Sequence, residues 1–178
     1  ALAAYLEKGG KLFFEGDALT EEGAFVLPLG IEYLGAPVYD NDYLLWEGAH
    51  EGIVSAPILA NYPSHRVRVA EGAVLAYGLP PYFNRTLRHY CGHKNTPHDK
   101  EAERFPAIVK TDAVVYSAHP LSRQYYEYGS IYHKRIFLAA LSSIYTRPVL
   151  RVTGLMSQGR VSLMEQAEEK RYCLHLLY

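Results

Sequence analysis

Residues 2–18, LAAYLEKGGKLFFEGDA, decide the fold that the sequence predicts. The apolar side chains of residues 2–6 recur at the spacing of one helical face. Gly9 and Gly10 follow, and glycine suits the left-handed conformation in which many helices end. The run 11–16 then has the apolar composition of a short buried strand. A helix, a glycine pair and a buried strand in this order are typical of one step in a layered α/β fold.

The composition is that of an ordinary globular protein. The chain has 178 residues, of which 49% are hydrophobic and 21% are charged, enough for one domain or for one domain and part of another. A net charge of -1 and a pI near 6.8 give no electrostatic footprint for nucleic acid or for an anionic membrane. No apolar run approaches the roughly 20 residues of a membrane-spanning helix. We therefore expect neither nucleic acid nor a membrane as a partner.

Cysteine and tyrosine counts add two expectations. The two cysteines, Cys91 and Cys173, do not make a disulfide framework, which favours a reducing compartment and a cytoplasmic location. The 16 tyrosines outnumber six phenylalanines and one tryptophan, and tyrosine favours partly wet surfaces such as pockets and interfaces. Because the chain starts without Met inside a helix-forming segment, we expect it to be part of a longer protein.

Further elements follow from local patterns along the chain. We predict a short helix capped by Thr20, and a long helix from about Ser122 to Tyr145. The remaining predictions are strands: 43–46, a hairpin of 66–70 with 73–78 turning at Glu71-Gly72, a pair at 105–111 and 113–118, and three short strands in 149–178. The composition changes from α/β to all-β near Arg147, which predicts a domain at 1–147 and a separate β segment at 148–178.

The stretch 80–104, PPYFNRTLRHYCGHKNTPHDKEAER, holds the densest group of reactive side chains. A connection of this length inside a compact domain is usually functional or disordered, and its aromatic content argues against disorder. Its imidazoles and thiol are zinc ligands by type, but a second Cys/His pair at finger spacing is missing. These candidate ligands are His89, Cys91, His93 and His98. A metal site, a sugar site and a hydrogen-bonded polar loop all remain open.

Other catalytic patterns are weaker. Cys91 lacks the small flanking residues of a nucleophile elbow, which disfavours thiol chemistry. Glu15 and Asp17 are the best-placed carboxylates, since they follow the first strand at the edge where open α/β sheets bind ligands. Asp17 is equally suited to be a helix cap. Tyrosines 125, 128 and 132 share one helical stripe, which favours packing or an interface over sugar stacking. Neither a P-loop nor a dinucleotide-binding glycine motif occurs, so we expect no nucleotide cofactor.

Four segments together resemble a known group of proteins. LAAYLEKGGKLFFEGDA (2–18) resembles the opening of the glutamine-amidotransferase-like domain of bacterial glycosidases, the β-galactosidase trimerisation type. PPYFNRTLRHYCGHKNTP (80–97) and AVVYSAHPLSRQYYEYGSIYHK (113–134) resemble blocks of a group of bacterial glycosyl hydrolases. RVSLMEQAEEKRYCLHLLY (160–178) resembles the start of the β-domain that follows in that group. The resemblance covers nearly the whole chain.

The resemblance implies a fold and a role. The fold is a flavodoxin-like three-layer α/β sandwich of the class I glutamine-amidotransferase type at 1–147, followed by the beginning of a β-domain at 148–178. The implied role is a non-catalytic accessory or oligomerisation domain of a glycoside hydrolase. The catalytic carboxylates would then lie on a TIM barrel outside this chain, with no catalytic residue, metal or cofactor here. Implied partners are that barrel and further copies of the chain.

The loop supplies the candidate ligand-binding residues. They combine an aromatic ring with hydrogen-bonding groups, the mixture that orients a polar ligand, and we expect them to line the saccharide site of the barrel. The predicted residues are Tyr82, Asn84, Arg85, His89 and His93. The alternative function is a stand-alone metal- or sugar-binding module centred on loop 80–104. In a purely structural role, Arg85 and the histidines would anchor the loop by hydrogen bonds to carbonyls.

Overall fold

A mixed six-stranded sheet is the centre of the larger of two structural units. The computed structural model describes residues 1–156 and 158–178, and it divides into Ala1–Tyr145 and Thr146–Tyr178. The helices are α1 Leu2–Glu7, α2 Leu121–Tyr128 and α3 Ile131–Ser142. The strands of the first unit are β1 Leu12–Glu15, β2 Thr20–Glu21, β3 Ala24–Phe25, β4 Ile31–Gly35, β5 Asp42–Trp46, β6 Ile58–Ala60, β7 Arg66–Val69, β8 Ala73–Leu79, β9 Phe105–Lys110 and β10 Val114–Ser117. Those of the second unit are β11 Arg160–Gln166 and β12 Arg171–Leu177.

The predicted flavodoxin-like sandwich is wrong. The strand order of the main sheet is β1-β10-β9-β8-β5-β6, and only the β1–β10 pair is parallel. A flavodoxin-like fold needs successive parallel strands joined by crossover helices. Here 34% of the residues lie in strands and 15% in helices, so the fold is mostly β. The helix and strand predicted from 2–18 do form, as α1 and β1, but the strand beside β1 comes about a hundred residues later.

Both faces of the main sheet are covered. Neighbouring residues on a strand point to opposite faces, so the buried Ile108 and Val109 belong to different apolar clusters. Ile108 packs in the cluster that includes Leu121 and Ile136 of the α2–α3 pair. Val109 packs in the other, with side chains of the small antiparallel β4–β7 sheet. This two-sided burial explains why β9 and β10 are nearly continuous apolar runs.

Three further local predictions are corrected. The helix expected at Thr20 is a β2–β3 hairpin, because Glu22 and Gly23 both have positive φ and form its two-residue turn. The expected 66–70/73–78 hairpin is absent, since β7 pairs with β4 while β8 pairs with β5 and β9. The long helix is divided at Gly129, whose φ of 62° ends α2 in the left-handed conformation.

The second unit contains an antiparallel hairpin. Its two strands, β11 and β12, pair from Arg160 opposite Leu177 to Gln166 opposite Arg171. Three strands were predicted in 149–178, and among the described residues of that range two form. The residue Ser157, within the range, lies outside the described residues.

Candidate functional site

Loop 80–104 is fastened at its base to the main sheet. The backbone N–H of Tyr82 donates to the Pro97 carbonyl at 3.1 Å, and the N–H of Asp99 donates to the Pro80 carbonyl at 2.8 Å. The hydroxyl of Tyr43, on β5, donates to the Thr96 carbonyl at 2.9 Å. The two ends of the loop are therefore held side by side against β5 and the end of β8.

Two of the predicted ligand-binding residues hold this loop in place. The Asn84 side chain accepts a hydrogen bond from the Asp40 N–H at 3.0 Å and donates one to the Val38 carbonyl at 2.9 Å. Arg85 Nη1 donates to the carbonyls of His93 and Lys94, at 2.7 and 3.1 Å. These bonds match the structural alternative that sequence analysis left open for Arg85.

The tip of the loop presents apolar side chains to solvent. His89 stacks on Phe83, with ring centroids 3.7 Å apart. The N–H of Thr86 donates to the His89 carbonyl at 2.8 Å, and the His89 N–H donates to Thr86 Oγ1 at 3.0 Å. This closed turn leaves Leu87 98% exposed. An open groove of about 580 Å³ lies beside it, lined by Arg85, Thr86, Leu87 and Tyr90.

The five predicted residues are thus gathered in one loop but not around one point. Tyr82 is exposed at the base, and the His93 side chain is exposed beyond the backbone carbonyl that receives Arg85. The Cys91 thiol donates to the carbonyls of His93 and Asn95, at 3.6 and 3.8 Å. In residues 1–156 and 158–178, no group of three or more His, Cys, Asp or Glu side chains is placed to hold a metal ion. Saccharide binding by the loop remains a prediction.

Sequence analysis missed a buried polar network in the core. Asp42, the first residue of β5, accepts hydrogen bonds from the Ser64 hydroxyl and from Nε2 of His119. Arg66 Nη1 donates to Ser64 Oγ at 2.9 Å and lies 3.9 Å from Asp42 Oδ2. The Arg66 guanidinium also covers the ring of Phe105 at 3.3 Å. Burial lowers the pKa of Arg66, while the nearby Asp42 carboxylate opposes that shift.

This network contains the side-chain types of a serine hydrolase in a different arrangement. A nucleophilic serine donates its proton to histidine, but here Ser64 donates to the carboxylate. Asp42, Ser64 and His119 are all buried, so a substrate has no access to them. The network joins β5, the 61–65 segment, β7 and the residues after β10. Its role is to fix these elements together, and a hydrolase mechanism does not follow from it.

Glu15, at the carboxyl end of β1, has a structural partner. Its carboxylate accepts hydrogen bonds from the Ser122 N–H, at 3.1 Å, and from the Ser122 hydroxyl, in the first turn of α2. Burial raises the pKa of Glu15, and the hydrogen bonds from Ser122 and the charge of His119 partly oppose the rise. The carboxylate therefore satisfies a free helix N–H group, as a capping side chain does. Asp17 is exposed nearby, and its backbone carbonyl accepts from Thr20 Oγ1 at 2.8 Å.

The imidazole of His65 also lies near the carboxyl end of β1. Nδ1 of His65 is hydrogen-bonded to the Tyr33 hydroxyl at 2.7 Å. Burial lowers the pKa of His65, and the charge of Asp17 opposes that shift. Burial also raises the pKa of Tyr33, so at neutral pH its hydroxyl keeps its proton. A tyrosine and a neutral histidine are held here as a packed pair, with ring centroids 5.7 Å apart.

Comparisons with known proteins give two structural relatives. No family model matches the chain, and a search of curated proteins also finds no match. A solved structure of α-L-fucosidase isoenzyme 2 from Paenibacillus thiaminolyticus superposes with a TM-score of 0.88 and 29% sequence identity, over 99% of this chain and 27% of that one. A β-galactosidase from Rahnella sp. R3 superposes with a TM-score of 0.53 and 17% identity, over 91% of this chain and 22% of that one.

Both relatives are glycoside hydrolases, and this chain spans about a quarter of each. The β-galactosidase similarity, at 17% identity, concerns the fold alone. The chain is accordingly related to a domain of a larger glycoside hydrolase, as the sequence resemblance predicted at that coarser level. Neither relative is named as a glutamine amidotransferase, so that part of the resemblance is not supported. Within the described residues, no helix has both the length and the apolar character needed to cross a membrane.

Proposed function

We propose that this chain is a non-catalytic accessory domain of a glycoside hydrolase, and that hydrolysis takes place on a separate catalytic domain. The observation that carries the proposal is the superposition of 99% of the chain on 27% of an α-L-fucosidase, with a TM-score of 0.88. Almost three quarters of that α-L-fucosidase therefore lies outside the region that superposes on this chain. An α-L-fucoside is the substrate that the similarity suggests for the complete enzyme.

The hydrogen bonds that Asp42 and Glu15 make within the fold support a non-catalytic role. Glycoside hydrolysis ordinarily needs two carboxyl groups facing one glycosidic bond, one of them acting as an acid. Asp42 is buried beneath its donors, and Glu15 accepts hydrogen bonds from the first turn of α2. Both carboxylates are therefore committed to holding elements of the fold together.

The finer part of the proposal concerns loop 80–104. We propose that its tip contacts the catalytic domain and lines the saccharide site there, in a homo-oligomeric cytoplasmic enzyme. The nearly full exposure of Leu87, on a turn already closed by hydrogen bonds, supports this placement because a fixed apolar tip loses little entropy on docking. Tyr82, Tyr90 and the free edge of His93 supply aromatic and polar groups beside it.

The test compares hydrolysis of p-nitrophenyl α-L-fucopyranoside by the 178-residue chain and by the complete enzyme that contains it. We expect no turnover by the chain alone and turnover by the enzyme. In the enzyme, Tyr82→Ala and His93→Ala should raise KM several-fold, whereas Tyr5→Ala, a change at a similarly exposed tyrosine on α1, should leave the kinetics unchanged. Turnover by the chain alone would refute the accessory role. Unchanged kinetics in both loop variants would refute the loop assignment only.

A further inference from the structure

The outer face of α2 carries an aromatic ring beside an ion pair. Arg123, Tyr126 and Glu127 occupy positions i, i+3 and i+4, so their side chains emerge from one face of the helix. Tyr126 is 89% exposed, more than any other tyrosine of α2 or α3. Little of the Tyr126 side chain is therefore packed against the core.

The ion pair next to this ring is held in one geometry. Arg123 Nε donates to Glu127 Oε1 at 2.7 Å, and the hydroxyl of Tyr62 donates to Glu127 Oε2. The Arg123 guanidinium lies over the Tyr62 ring, 4.2 Å from its centroid, and the Tyr128 ring contacts Tyr62 from another direction, with centroids 6.0 Å apart. Arginine and glutamate side chains on a helix surface usually sample many rotamers, but here a tyrosine from another segment orders both. The polar groups are therefore pre-organised before any ligand arrives.

The remaining hydrogen-bonding capacity suits a neutral polar ligand. A guanidinium has five N–H donors, and the bond to Glu127 uses only the one on Nε. The carboxylate retains lone pairs beyond those that receive Tyr62 and Arg123. Because the two charges compensate each other, the face carries no net charge that would select an anion or a cation. Donors, acceptors and an exposed aromatic face together match a molecule with many hydroxyl groups and one apolar C–H face.

We propose that this face of α2 is a saccharide-binding site separate from loop 80–104, in which a neutral sugar ring stacks on Tyr126 and its hydroxyls bond to Arg123 and Glu127. The ligand class rests on the proposed function, since both structural relatives are glycoside hydrolases. The site holds substrate chains near the enzyme and takes no part in bond cleavage.

A second copy of the chain is a less suitable occupant. A tyrosine buries about 150–250 Å² at most, whereas a stable interface needs about 800 Å² from each partner. Covering the face with protein would also remove the Arg123–Glu127 pair from water, which costs free energy without new partners. A mono- or oligosaccharide covers a single ring and leaves the ion pair partly solvated.

The test is saturation-transfer difference NMR on the 178-residue chain, with 2′-fucosyllactose as the probe. We expect saturation transfer to the sugar C–H protons and a Kd on the order of 1 mM. Tyr126→Ala should weaken binding at least tenfold, and Tyr126→Phe should retain it within about twofold because the ring face remains. Tyr5→Ala, a change at a half-exposed tyrosine on α1, is the control and should bind as the unaltered chain does.

Three results would overturn the proposal. One is the absence of saturation transfer to the unaltered chain at 10 mM probe. Another is equal binding by Tyr126→Ala and the unaltered chain. The third is concentration-dependent dimerisation in sedimentation that Tyr126→Ala abolishes, which would assign the face to a second copy. None of these bears on the accessory role, which the aryl fucoside assay of the complete enzyme tests with different residues.

Discussion

Nε2 of His119 is hydrogen-bonded to Oδ1 of Asp42, across 77 positions of sequence and with both side chains removed from solvent. This bond ties the start of β5 to the residues that lead from β10 into α2. Ser64 also donates to this carboxylate, and Arg66 donates to Ser64 and lies 3.9 Å from Asp42, so four segments of the larger unit meet at one side chain. A buried carboxylate at such a junction makes the fold sensitive to a single substitution.

Asp42→Ala should lower the free energy of unfolding by about 3–5 kcal/mol, because it leaves the donors of His119 and Ser64 buried without their acceptor and removes the negative charge beside Arg66. Asp42→Asn retains one carbonyl acceptor and should lose less. Denaturation in urea measures both. Asp112→Ala is the control: this aspartate is exposed, and Lys11 binds its backbone carbonyl rather than its carboxylate. A loss below about 1 kcal/mol in Asp42→Ala would contradict the central role of this carboxylate, as surface changes usually stay within ~0.5 kcal/mol.

Gly78→Ala should destabilise the sheet by about 1–3 kcal/mol, the usual cost of overpacking a filled site. A Cβ at position 78 would overlap the ring of Phe105, its partner on β9, and that ring also supports Arg66. Gly92→Ala is a matched control, since a Cβ there meets no atom within 4 Å. Thermal unfolding of the two variants should separate them, and equal melting temperatures would show that the Phe105 ring moves aside freely.

Acid should weaken the fold through His133. Burial, with the charge of His119 as a smaller cause, lowers the pKa of His133 to about 4 from an ordinary 6.5. Between these values the unfolded chain binds a proton that the folded chain does not, so the free energy of unfolding falls as pH falls from about 6.5 to 4, by up to about 3 kcal/mol. The lowered pKa of His65 acts in the same direction, and the raised pKa of Glu15 acts in the opposite one.

His133→Gln isolates this contribution, because His65 and Glu15 remain. Urea denaturation at several pH values between 7 and 4 should show a shallower pH dependence in the variant than in the unaltered chain. His93→Gln, a change at an exposed histidine, should retain the full slope. Identical slopes for His133→Gln and the unaltered chain would locate the acid sensitivity elsewhere.

Glu15→Ala should cost about 1 kcal/mol of stability by removing the acceptor for the Ser122 N–H, an effect of the size found for lost helix caps. The loss should appear locally as faster hydrogen exchange of the first α2 amides. Asp17→Ala is the control, because its carbonyl, not its carboxylate, receives Thr20. In the complete enzyme both variants should retain kcat at a temperature where they stay folded. A selective loss of kcat in Glu15→Ala would give this carboxylate a catalytic role.

Sequence patterns predicted elements well where their determinants are local. The helix and strand within 2–18 depend on side-chain spacing and on a glycine pair, and the β9–β10 pairing joins strands that follow each other directly. The predicted 66–70/73–78 hairpin also used local signals, but the Gly30 carbonyl receives the N–H groups of both Ala70 and Glu71 and directs β7 toward β4. The sequence of the Glu71-Gly72 turn does not show that a partner forty residues away competes for β7.

The same dependence on local patterns explains which parts of the candidate site could be predicted from the sequence. Loop 80–104 was recognisable because its reactive side chains lie within one short stretch of sequence, which the structure places in one loop. Asp42 and His119 are 77 positions apart in sequence, and neither has a local pattern that indicates the other as its partner. Only the folded sheet shows that they meet. The fold class was wrongly predicted for the same reason, because a helix–glycine–strand step does not indicate which other strand lies beside it in the sheet.

The pairing of β1 with β10 has a consequence for biosynthesis. The partner of Leu12, Val114, leaves the ribosome about a hundred residues after Leu12. Until then the apolar strand carrying Phe13 and Phe14 has an open edge, and such edges recruit other nascent chains. Closing so long a loop also makes this pairing slow relative to the β8–β9–β10 segment. The yield of folded protein should therefore depend on how well the edge of β1 is shielded until β10 is available.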